Sequence, residues 1–358
     1  MFQWERSEME RERLDSENPE VSILIPCYNG FDCIGNCLKS IMATAGPSYE
    51  VIVIDNHSKD QSLGVVRSHS NVRIIPNATN LGFARAINQG AEIAKGKFLA
   101  ILNQDAEVDP NWLLQLTTVL KTDPTVAICG PKILEASDRT RIQQLGVRVD
   151  RFGFGMYICD DGEAPQDVFM VSGAAMVIKK EVFDLIGQFD AEYFMFDDDL
   201  DLCWRARLAG FRIVANPQAL VYHFGGASME GGFPNEARFL TSPARRYYSE
   251  RNLLLTLVKN YEVRNIVKVL PFYLGMNLVE TGLFLLLRRY GGAMAYIKSL
   301  YYNLVNFRTT WRKHAGVSRI RRVPDSTIVR LQDRHNLRIA TFMRWGVPAF
   351  KRQTIQPS

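Results

Sequence analysis

Short apolar runs alternate with helix-like segments through the first part of the chain. Four runs are mostly apolar and are bounded by turn-forming residues, as is typical of buried strands. They are Val21–Pro26, Val51–Ile54, Val72–Pro76 and Phe98–Leu102. Segments with helical apolar spacing lie at Phe31–Ala43, Phe83–Ala94 and Asp109–Lys121. Strands without a polar face, separated by helices, predict an α/β fold with a mostly parallel central sheet covered on both sides.

Polar residues stand where these predicted strands end. Asn29 follows the first strand, Asp55 and Asn56 follow the second, and Asp105 follows the fourth. In open α/β sheets, ligands bind beyond the carboxyl ends of the strands. The sequence therefore predicts a ligand site at this edge of the sheet.

The stretch NLGFARAINQG, Asn80–Gly90, places a glycine at the start of a predicted helix. Gly82 permits close backbone approach, and free N–H groups at a helix start suit a phosphate or a sugar hydroxyl. An ordinary helix start capped by Asn80 is the alternative.

Two segments, 138–166 and 172–174, contain further candidate features of the ligand site. Residues 138–166 show no clear period and predict an irregular segment that covers part of the ligand site. The small residues Ser172, Gly173 and Ala174 open a further strand. They would let a substrate lie against the backbone, or they would allow close packing between strands.

The acidic stretch, YFMFDDDLDLCWRARLAG at Tyr193–Gly210, has four aspartates within five positions. They are Asp197, Asp198, Asp199 and Asp201. Crowded carboxylates repel one another, so burying them requires a metal, a basic partner or a proton used in catalysis. The alternative is a solvated acidic turn at a helix start, where aspartates are favourable.

The character of the chain changes near Arg245. Ile266–Leu287 is apolar for nearly the thickness of a bilayer, but Lys268, Pro271 and Glu280 interrupt it. The basic, aromatic-rich segments that follow predict amphipathic helices at a membrane surface with anionic headgroups. A helical subdomain or a dimer contact is the alternative. No nucleic-acid motif accompanies the basic residues.

Composition limits the class of protein and the cellular compartment that this sequence fits. The chain has 358 residues, is 47% hydrophobic and carries a net charge of +5, which is an ordinary globular composition. The six cysteines form no CxxC pair, which predicts reduced thiols in the cytoplasm. We expect a charged extension at 1–20, a catalytic domain at 21–244 and a basic helical region at 245–358.

Seven stretches together resemble the family 2 glycosyltransferases, the inverting nucleotide-sugar enzymes of the GT-A fold, and most of all a bacterial rhamnosyltransferase branch. The stretches are IPCYNG, VIDNHSKD, NLGFARAINQG, LNQDAEVDP, SGAAMVIKKEVFDLIGQFD, YFMFDDDLDLCWRARLAG and VYHFGGAS, between Ile25 and Ser228. Each is weak alone, but their order and spacing are specific.

The resemblance implies roles for residues on the donor side. These residues are Pro26, Tyr28, Asn29, Asp55, Asn56, Asn80, Gly82, Asn103, Gln104 and Asp105. Asp55 would hold a uracil or thymine ring. Asn103 to Asp105 stand where the family has its Asp-x-Asp metal motif, and Asn103 replaces the first aspartate. Asp105 and His223 would therefore hold the divalent cation, Mn²⁺ or Mg²⁺.

The same resemblance implies that Asp198 and Asp199 occupy the family's Glu-Asp pair, with Asp199 as the catalytic base. Ser172, Gly173 and Ala174 would lie on the acceptor side. The implied activity is transfer of a sugar, rhamnose from dTDP-rhamnose, to a lipid-linked or surface polysaccharide at the inner face of the cytoplasmic membrane. A UDP-sugar donor, a metal-dependent nucleotidyltransferase and a non-catalytic sugar-binding protein are the alternatives.

Overall fold

The computed structural model describes residues 18–225 and 240–350. Most of the predicted N-terminal extension, residues 1–17, lies outside the described residues, as do the last three residues of VYHFGGAS, 226–228. The described chain forms two compact units. The sheet unit contains residues 18–148, 156–225 and 320–324, and the helical unit contains 149–155, 240–319 and 325–350.

A large mixed sheet forms the centre of the sheet unit. The strands in chain order are β1 (Val21–Cys27), β2 (Tyr49–Asp55), β3 (Val72–Pro76), β4 (Phe98–Leu102), β5 (Ala106–Val108), β6 (Val126–Glu135), β7 (Asp138–Gln144), β8 (Val147–Val149), β9 (Gly155–Tyr157), β10 (Gln166–Asp167), β11 (Ala175–Lys179) and β12 (Arg212–His223). The main sheet has the order β10-β12-β6-β11-β4-β1-β2-β3, with β5 added to β12 and β7 added to β6.

The half of the sheet made by β3, β2, β1 and β4 is parallel, as predicted from its apolar strands. In the other half, β12 runs parallel to β6, whereas β11 runs antiparallel to both β4 and β6. The sheet is therefore mixed rather than uniformly parallel. The prediction of an irregular segment at 138–166 was wrong for β7, which pairs with β6, and for β8 and β9, which pair with each other. Because β7 is an edge strand with mostly exposed side chains, it has no apolar run to reveal it.

Helices cover the sheet. They are α1 (Ile34–Met42), α2 (Ser62–Arg67), α3 (Phe83–Ile93), α4 (Trp112–Thr122), α5 (Lys180–Leu185) and α6 (Asp198–Leu208). α1 shows why these segments are helical, since its buried residues Ile34, Cys37, Leu38 and Ile41 recur at helical spacing. Burying a side chain such as Leu38 contributes about 1.5–3 kcal/mol.

The helical unit consists of six helices and two short strands. These are β13 (Leu240–Thr241), α7 (Pro243–Asn260), α8 (Val263–Leu286), α9 (Tyr290–Val305), α10 (Phe307–Ile320), α11 (Asp325–Leu331), α12 (Leu337–Trp345) and β14 (Ala349–Phe350). Ser242 caps α7 by accepting a hydrogen bond from the Arg245 N–H at 3.1 Å, and Pro243 occupies the first turn. The predicted helical C-terminal region is confirmed.

Candidate active site

The loop after β1 is held by a side chain from the loop after β4. Gln104 Oε1 accepts a hydrogen bond from the Tyr28 N–H at 2.9 Å, and its Nε2 donates to the Tyr28 carbonyl at 3.0 Å. Gly30 makes room for this amide, because a Cβ there would overlap the Gln104 side chain. Gln104, predicted on the donor side, thus holds the backbone that presents the Tyr28 ring, which is 41% exposed.

The ends of β1 and β2 bring the next predicted residues together. Cys27 pairs with Asp55 in the parallel register, and Pro26 lies one position earlier, inside β1. Asp55 is buried and its Oδ1 accepts from the Ser58 N–H at 3.3 Å. Asn29 has a positive φ of 47° and accepts from the Lys59 N–H at 2.8 Å. Parallel strand ends therefore place these side chains at one edge of the sheet.

Gly82 joins the start of α3 to the acidic stretch. Its φ is 81°, and a Cβ there would overlap the Phe194 carbonyl oxygen. That oxygen accepts a hydrogen bond from the Phe83 N–H at 3.0 Å. Asn56 donates to the Gly82 carbonyl at 3.2 Å, and Asn80 accepts from the Gly82 N–H at 2.9 Å. Gly82 itself is the N-cap of α3, so the alternative with Asn80 as cap does not hold.

Asp105 and His223 lie side by side at the ends of β4 and β12. Asp105 Oδ1 is 3.3 Å from His223 Nε2, and both side chains are largely buried. The Asn103 Nδ2 atom lies 3.4 Å from the same His223 nitrogen. Gln143 of β7 fixes the ring, since its Oε1 lies 2.9 Å from His223 Nδ1 and accepts a hydrogen bond from it.

This donor set fits a divalent cation. With Nδ1 of His223 engaged by Gln143, Nε2 is the ring nitrogen that faces the Asp105 carboxylate. Mg²⁺ and similar ions often take one or two carboxylates from the protein and the remaining oxygens from substrate phosphates and water. No group of three His, Cys, Asp or Glu residues converges within residues 18–225 and 240–350, so two protein ligands are the set available here.

The backbone turns sharply before the acidic pair. Phe196 and Asp197 both have positive φ, at 65° and 58°, immediately before α6 begins. Adjacent left-handed residues other than glycine are costly and often mark functional sites. This turn directs Asp198 and Asp199 into the protein, so the alternative of a solvated acidic turn fails.

Asp198 and Asp199 differ in their hydrogen bonds. Asp199 Oδ2 accepts from the Gly173 N–H at 2.9 Å and Oδ1 accepts from the Leu200 N–H at 2.8 Å. Asp198 Oδ2 is buried without a hydrogen-bond partner among the described residues.

Burial raises the pKa of Asp198 well above its ordinary value, and the nearby charge of Asp199 raises it further. Burial also raises the pKa of Asp199, but the N–H groups of Gly173 and Leu200 oppose that effect. Asp199 is therefore the better ionised carboxylate of the two, and Asp198 retains a proton more strongly.

The small-residue run 172–174 connects the two halves of the site. The Ala174 carbonyl accepts from the Asn103 N–H at 2.9 Å, whereas the Gly173 N–H donates to Asp199. A Cβ on Gly173 would lie 3.3 Å from the Phe83 ring. The structure thus shows the close packing that small residues allow, and it links Asp105 and Asp199 through one short segment.

The arginines of α6 are used inside the protein. Arg205 forms a buried ion pair with Asp201, with Nε 2.9 Å from Oδ2. Arg207 pairs with Asp167 and donates to the Val168 carbonyl. Asp201 therefore anchors α6 and is separate in role from Asp198 and Asp199.

The family comparison covers most of this site. Residues 22–187 match the family model Glycosyl transferase family 2. Residues 22–187 are therefore similar to a family 2 glycosyltransferase domain. This match includes the loops after β1, β2 and β4 and the run 172–174, whereas the acidic pair and His223 lie beyond it.

Curated relatives resemble part of this chain. The uncharacterized protein y4gI of Sinorhizobium fredii is 29% identical over 59% of this chain and 25% of that protein. The O-antigen biosynthesis protein RfbC of Myxococcus xanthus is 27% identical over 63% of this chain and 19% of that protein. Poly-beta-1,6-N-acetyl-D-glucosamine synthase of Staphylococcus epidermidis is 23% identical over 56% of this chain and 49% of that protein. The chain thus matches half or less of the length of each of these relatives.

Solved structures confirm the GT-A-like α/β fold. GalNAc-T7 with UDP, GalNAc and Mn²⁺ has a TM-score of 0.58 at 16% identity, over 82% of this chain and 58% of that chain. S. aureus TarS with UDP-GlcNAc has a TM-score of 0.54 at 17% identity, over 88% and 93%. The mannosyltransferase PcManGT of Pyrobaculum calidifontis with GDP-Man and Mn²⁺ has a TM-score of 0.51 at 16% identity, over 96% and 92%.

Gln143 is the residue of this site that sequence reasoning missed. It lies in the edge strand β7, eighty positions before His223. Its segment has no apolar run and no turn motif, so no local signal distinguishes it. Gly30 and Phe194 were also missed as packing partners of Gln104 and Gly82.

Proposed function

We propose that this protein is an inverting, metal-dependent glycosyltransferase that acts in polysaccharide biosynthesis. The proposal rests on one observation: a single short segment, 172–174, contacts both the candidate cation site and the candidate base. The run 172–174 is hydrogen-bonded both to Asn103, two residues before Asp105 of the Asp105–His223 pair, and to the half-buried carboxylate of Asp199. Glycosyl transfer needs a cation beside the departing diphosphate and a base beside the acceptor hydroxyl. The Asp105–His223 pair would supply the first and Asp199 the second, and the run 172–174 contacts both regions.

The donor would bind at the carboxyl ends of β1, β2 and β4. Tyr28, Asn29 and Asp55 would contact the base and ribose, with Asn56, Asn80 and Gly82 shaping the adjacent loop. Pro26, Asn103 and Gln104 would support this side. A divalent cation held by Asp105 and His223 would neutralise charge on the departing nucleoside diphosphate.

Asp199 would act as the base. The acceptor hydroxyl oxygen attacks the anomeric carbon as the bond from that carbon to the diphosphate oxygen breaks, and the hydroxyl proton passes to Asp199. Attack from the face opposite the leaving group inverts the anomeric centre, as in inverting glycosidases. Asp198, with its proton retained, would leave Asp199 as the one negative charge of the pair. Ser172, Gly173 and Ala174 would lie on the acceptor side.

The donor we propose is dTDP-rhamnose, on the resemblance of the seven stretches to rhamnosyltransferases. A UDP-sugar is the second candidate. It is favoured by the relative named as a poly-β-1,6-N-acetylglucosamine synthase and by the fold neighbour solved with UDP-GlcNAc. The acceptor would be a lipid-linked or surface polysaccharide.

We place the enzyme in the cytoplasm at the inner face of the cytoplasmic membrane. Residues 21–244 would be the catalytic domain and 245–358 the membrane-associated region. Support comes from exposed Trp311 and Phe307 beside Arg308 and Arg312 in α10, a combination suited to an interface with anionic headgroups.

The test is a thermal-shift and hydrolysis screen of the purified full chain against dTDP-rhamnose, UDP-galactose, UDP-N-acetylglucosamine and GDP-mannose, each with Mn²⁺ and with EDTA. A ligand that binds the native state raises the unfolding midpoint. We expect a metal-dependent shift with one nucleotide sugar and slow release of its sugar. Absence of any shift, even with lipid extract present, would contradict a transferase and favour a non-catalytic role.

A further inference from the structure

Helix α8 is apolar on its outside and polar on its inside. Its buried positions Tyr273, Asn277 and Phe284 are spaced at helical intervals, with Glu280 between them. Its exposed positions form what we call the outer face of α8. These are Val267, Phe272, Leu278, Val279, Leu285 and Leu286. Leu286 is 80% and Phe272 is 70% exposed. A surface helix of a water-soluble protein shows the reverse arrangement.

Two polar residues on the inside of α8, Glu280 and Tyr273, pair with partners in the same unit. Glu280 accepts from Arg338 Nε at 2.6 Å and from the Tyr296 hydroxyl. Tyr273 donates to Glu250 Oε2 at 2.8 Å, and Arg338 Nη2 donates to Glu250 Oε1 at 2.9 Å. Ionisable residues of membrane-embedded helices behave in this way, facing inward and pairing with one another.

Helix α9 repeats the arrangement. Its buried side is small or polar and includes Gly292, Ser299 and Asn303, and Asn303 donates to the Arg251 carbonyl of α7 at 3.0 Å. Small and hydrogen-bonding residues are what helix contacts within membranes use. Its exposed side is apolar and aromatic. The residues are Met294, Ile297, Tyr301, Leu304 and Val305. Lys298 is the single charged residue of α9, and its long stem can carry the charge to a headgroup.

The charges along α8 indicate whether a lipid bilayer or a second copy of the chain covers its outer face. Residues 269–287 contain one charged residue, the inward-facing Glu280. That stretch is about 28 Å long, against a hydrocarbon core of about 30 Å. Basic residues flank it on both sides: Arg264 and Lys268 before it, and Arg288 and Arg289 after it. Flanking basic residues complement the phosphates of a bilayer, whereas contact with a second copy of the chain gives them no partner.

Burial excludes the most common explanation for an apolar helix of this length. Among the helices of the described chain, α8 is long and apolar enough to cross a membrane by length and composition. The core helix of a soluble protein passes the same criteria but is mostly buried, whereas only 17% of the apolar window of α8 is buried.

We infer that the outer face of α8 and the exposed side of α9 are embedded in the hydrocarbon layer of a lipid bilayer, with Arg264, Lys268 and Arg288 at the level of the phosphates. This inference rests on the proposed membrane association and deepens it from headgroup contact to hydrocarbon contact. Glu280, Glu250 and Arg338 then remain paired in the interior of the helical unit.

The first experiment uses vesicles and salt. Full-length protein, exchanged from detergent into pure phosphatidylcholine vesicles, is floated on a gradient at low salt and at about 1 M sodium chloride, where the Debye length is about 3 Å. We expect it to float with the vesicles under both conditions, because hydrocarbon contact needs no anionic lipid. Release by salt, or binding only when anionic lipid is added, would overturn the inference in favour of headgroup electrostatics.

The second experiment introduces charges into the outer face of α8. The double variant Leu278→Glu, Val279→Glu should lower vesicle partitioning by about a hundredfold or more. Leu114→Glu is the matched control, because Leu114 is an exposed leucine of the sheet unit, and its partitioning should equal that of wild type. Wild-type partitioning by the double variant, with dissociation of a dimer, would assign the face to a second copy of the chain and overturn the inference.

Three further measurements test folding, the proposed function and the depth of α8 separately. An unchanged thermal midpoint of the double variant in detergent shows that it folds. Its hydrolysis of the nucleotide sugar in detergent reports on the proposed function alone, since the substitutions lie outside the donor-side and acidic-pair residues. A nitroxide at Leu278→Cys, in a Cys159→Ser background, should lie deeper in the bilayer than one at Arg264→Cys. Equal shallow depths for both would also overturn the inference.

Discussion

Replacing Asp199 by asparagine should separate catalysis from donor binding. The substitution removes the carboxylate that we propose as base but leaves the Asp105–His223 pair and the donor-side loops in place. A positioned general base contributes about a hundredfold to ten-thousandfold in rate. We therefore expect kcat to fall by that factor, which corresponds to about 3–5 kcal/mol in the activation free energy.

The structure also sets the cost of this change in stability. The Asp199 carboxylate accepts from the N–H groups of both Gly173 and Leu200, whereas an asparagine offers one oxygen and one NH₂ group. One N–H then loses its acceptor, which costs about 1–3 kcal/mol of the free energy of unfolding. Asp198→Asn loses no such bond at Oδ2, and burial raises the pKa of Asp198, which disfavours its ionised form. Its kcat should therefore stay within about tenfold of wild type.

The pH dependence supplies an independent check. Burial raises the pKa of Asp199 above 3.8, so the rate should fall as pH falls through a value higher than an ordinary aspartate would give. The raised pKa of Asp198 means that the native state binds its proton more tightly than the unfolded chain does. The free energy of unfolding should therefore decrease as pH rises above about 4, and Asp198→Asn should remove part of that slope.

The assay combines kcat for sugar transfer with the thermal shift produced by the donor and Mn²⁺. We expect Asp199→Asn to keep a donor-induced shift close to that of wild type while kcat falls. If Asp199→Asn keeps kcat within a few-fold of wild type and Asp198→Asn does not, the assignment of the base is wrong. A loss of the donor shift in Asp199→Asn would instead show a structural role.

Three further predictions follow from single contacts. Gly82→Ala should lower the thermal midpoint, because a Cβ there overlaps the Phe194 carbonyl at a positive φ, and such strain costs about 1–3 kcal/mol. Gln143→Leu should weaken Mn²⁺ binding, measured by calorimetry, by about tenfold to a hundredfold, because it frees the His223 ring. Asp150→Ala should destabilise the helical unit by about 3 kcal/mol or more, measured by urea unfolding, because its carboxylate accepts from three backbone N–H groups.

Matched variants show whether each effect is specific. Gly64→Ala should be neutral or slightly stabilising, since Gly64 lies in α2 with open space around its Cβ position. Gln143→Glu should retain Mn²⁺ binding, and equal loss in both Gln143 variants would argue against an orienting role. Asp161→Ala breaks an exposed ion pair with Lys132 and should cost less than about 1 kcal/mol. An equal cost for Asp150 and Asp161 would refute the argument from burial.

Much of the sheet unit could be predicted from local pattern. The strands β1 to β4 are mostly apolar, as is typical of a sheet covered on both faces, and their polar ends meet because the strands are parallel. The edge strand β7 could not be predicted in this way. Its exposed side chains carry no periodic signal, and its contribution to the site, Gln143, acts through a residue eighty positions away.

Sequence by itself determined that acidic residues, a histidine and glycine-containing turns are present in the order of a glycosyltransferase domain, and that the last third of the chain is apolar and basic. Tertiary structure decided how the two carboxylates are held, because the Gly173 N–H that supports Asp199 comes from a segment 26 residues away. It also decided which side of α8 faces outward. Local pattern predicts apolar residues inside, but the pairing of Glu280 with Arg338 turns the polar stripe inward, because a buried charge requires a partner.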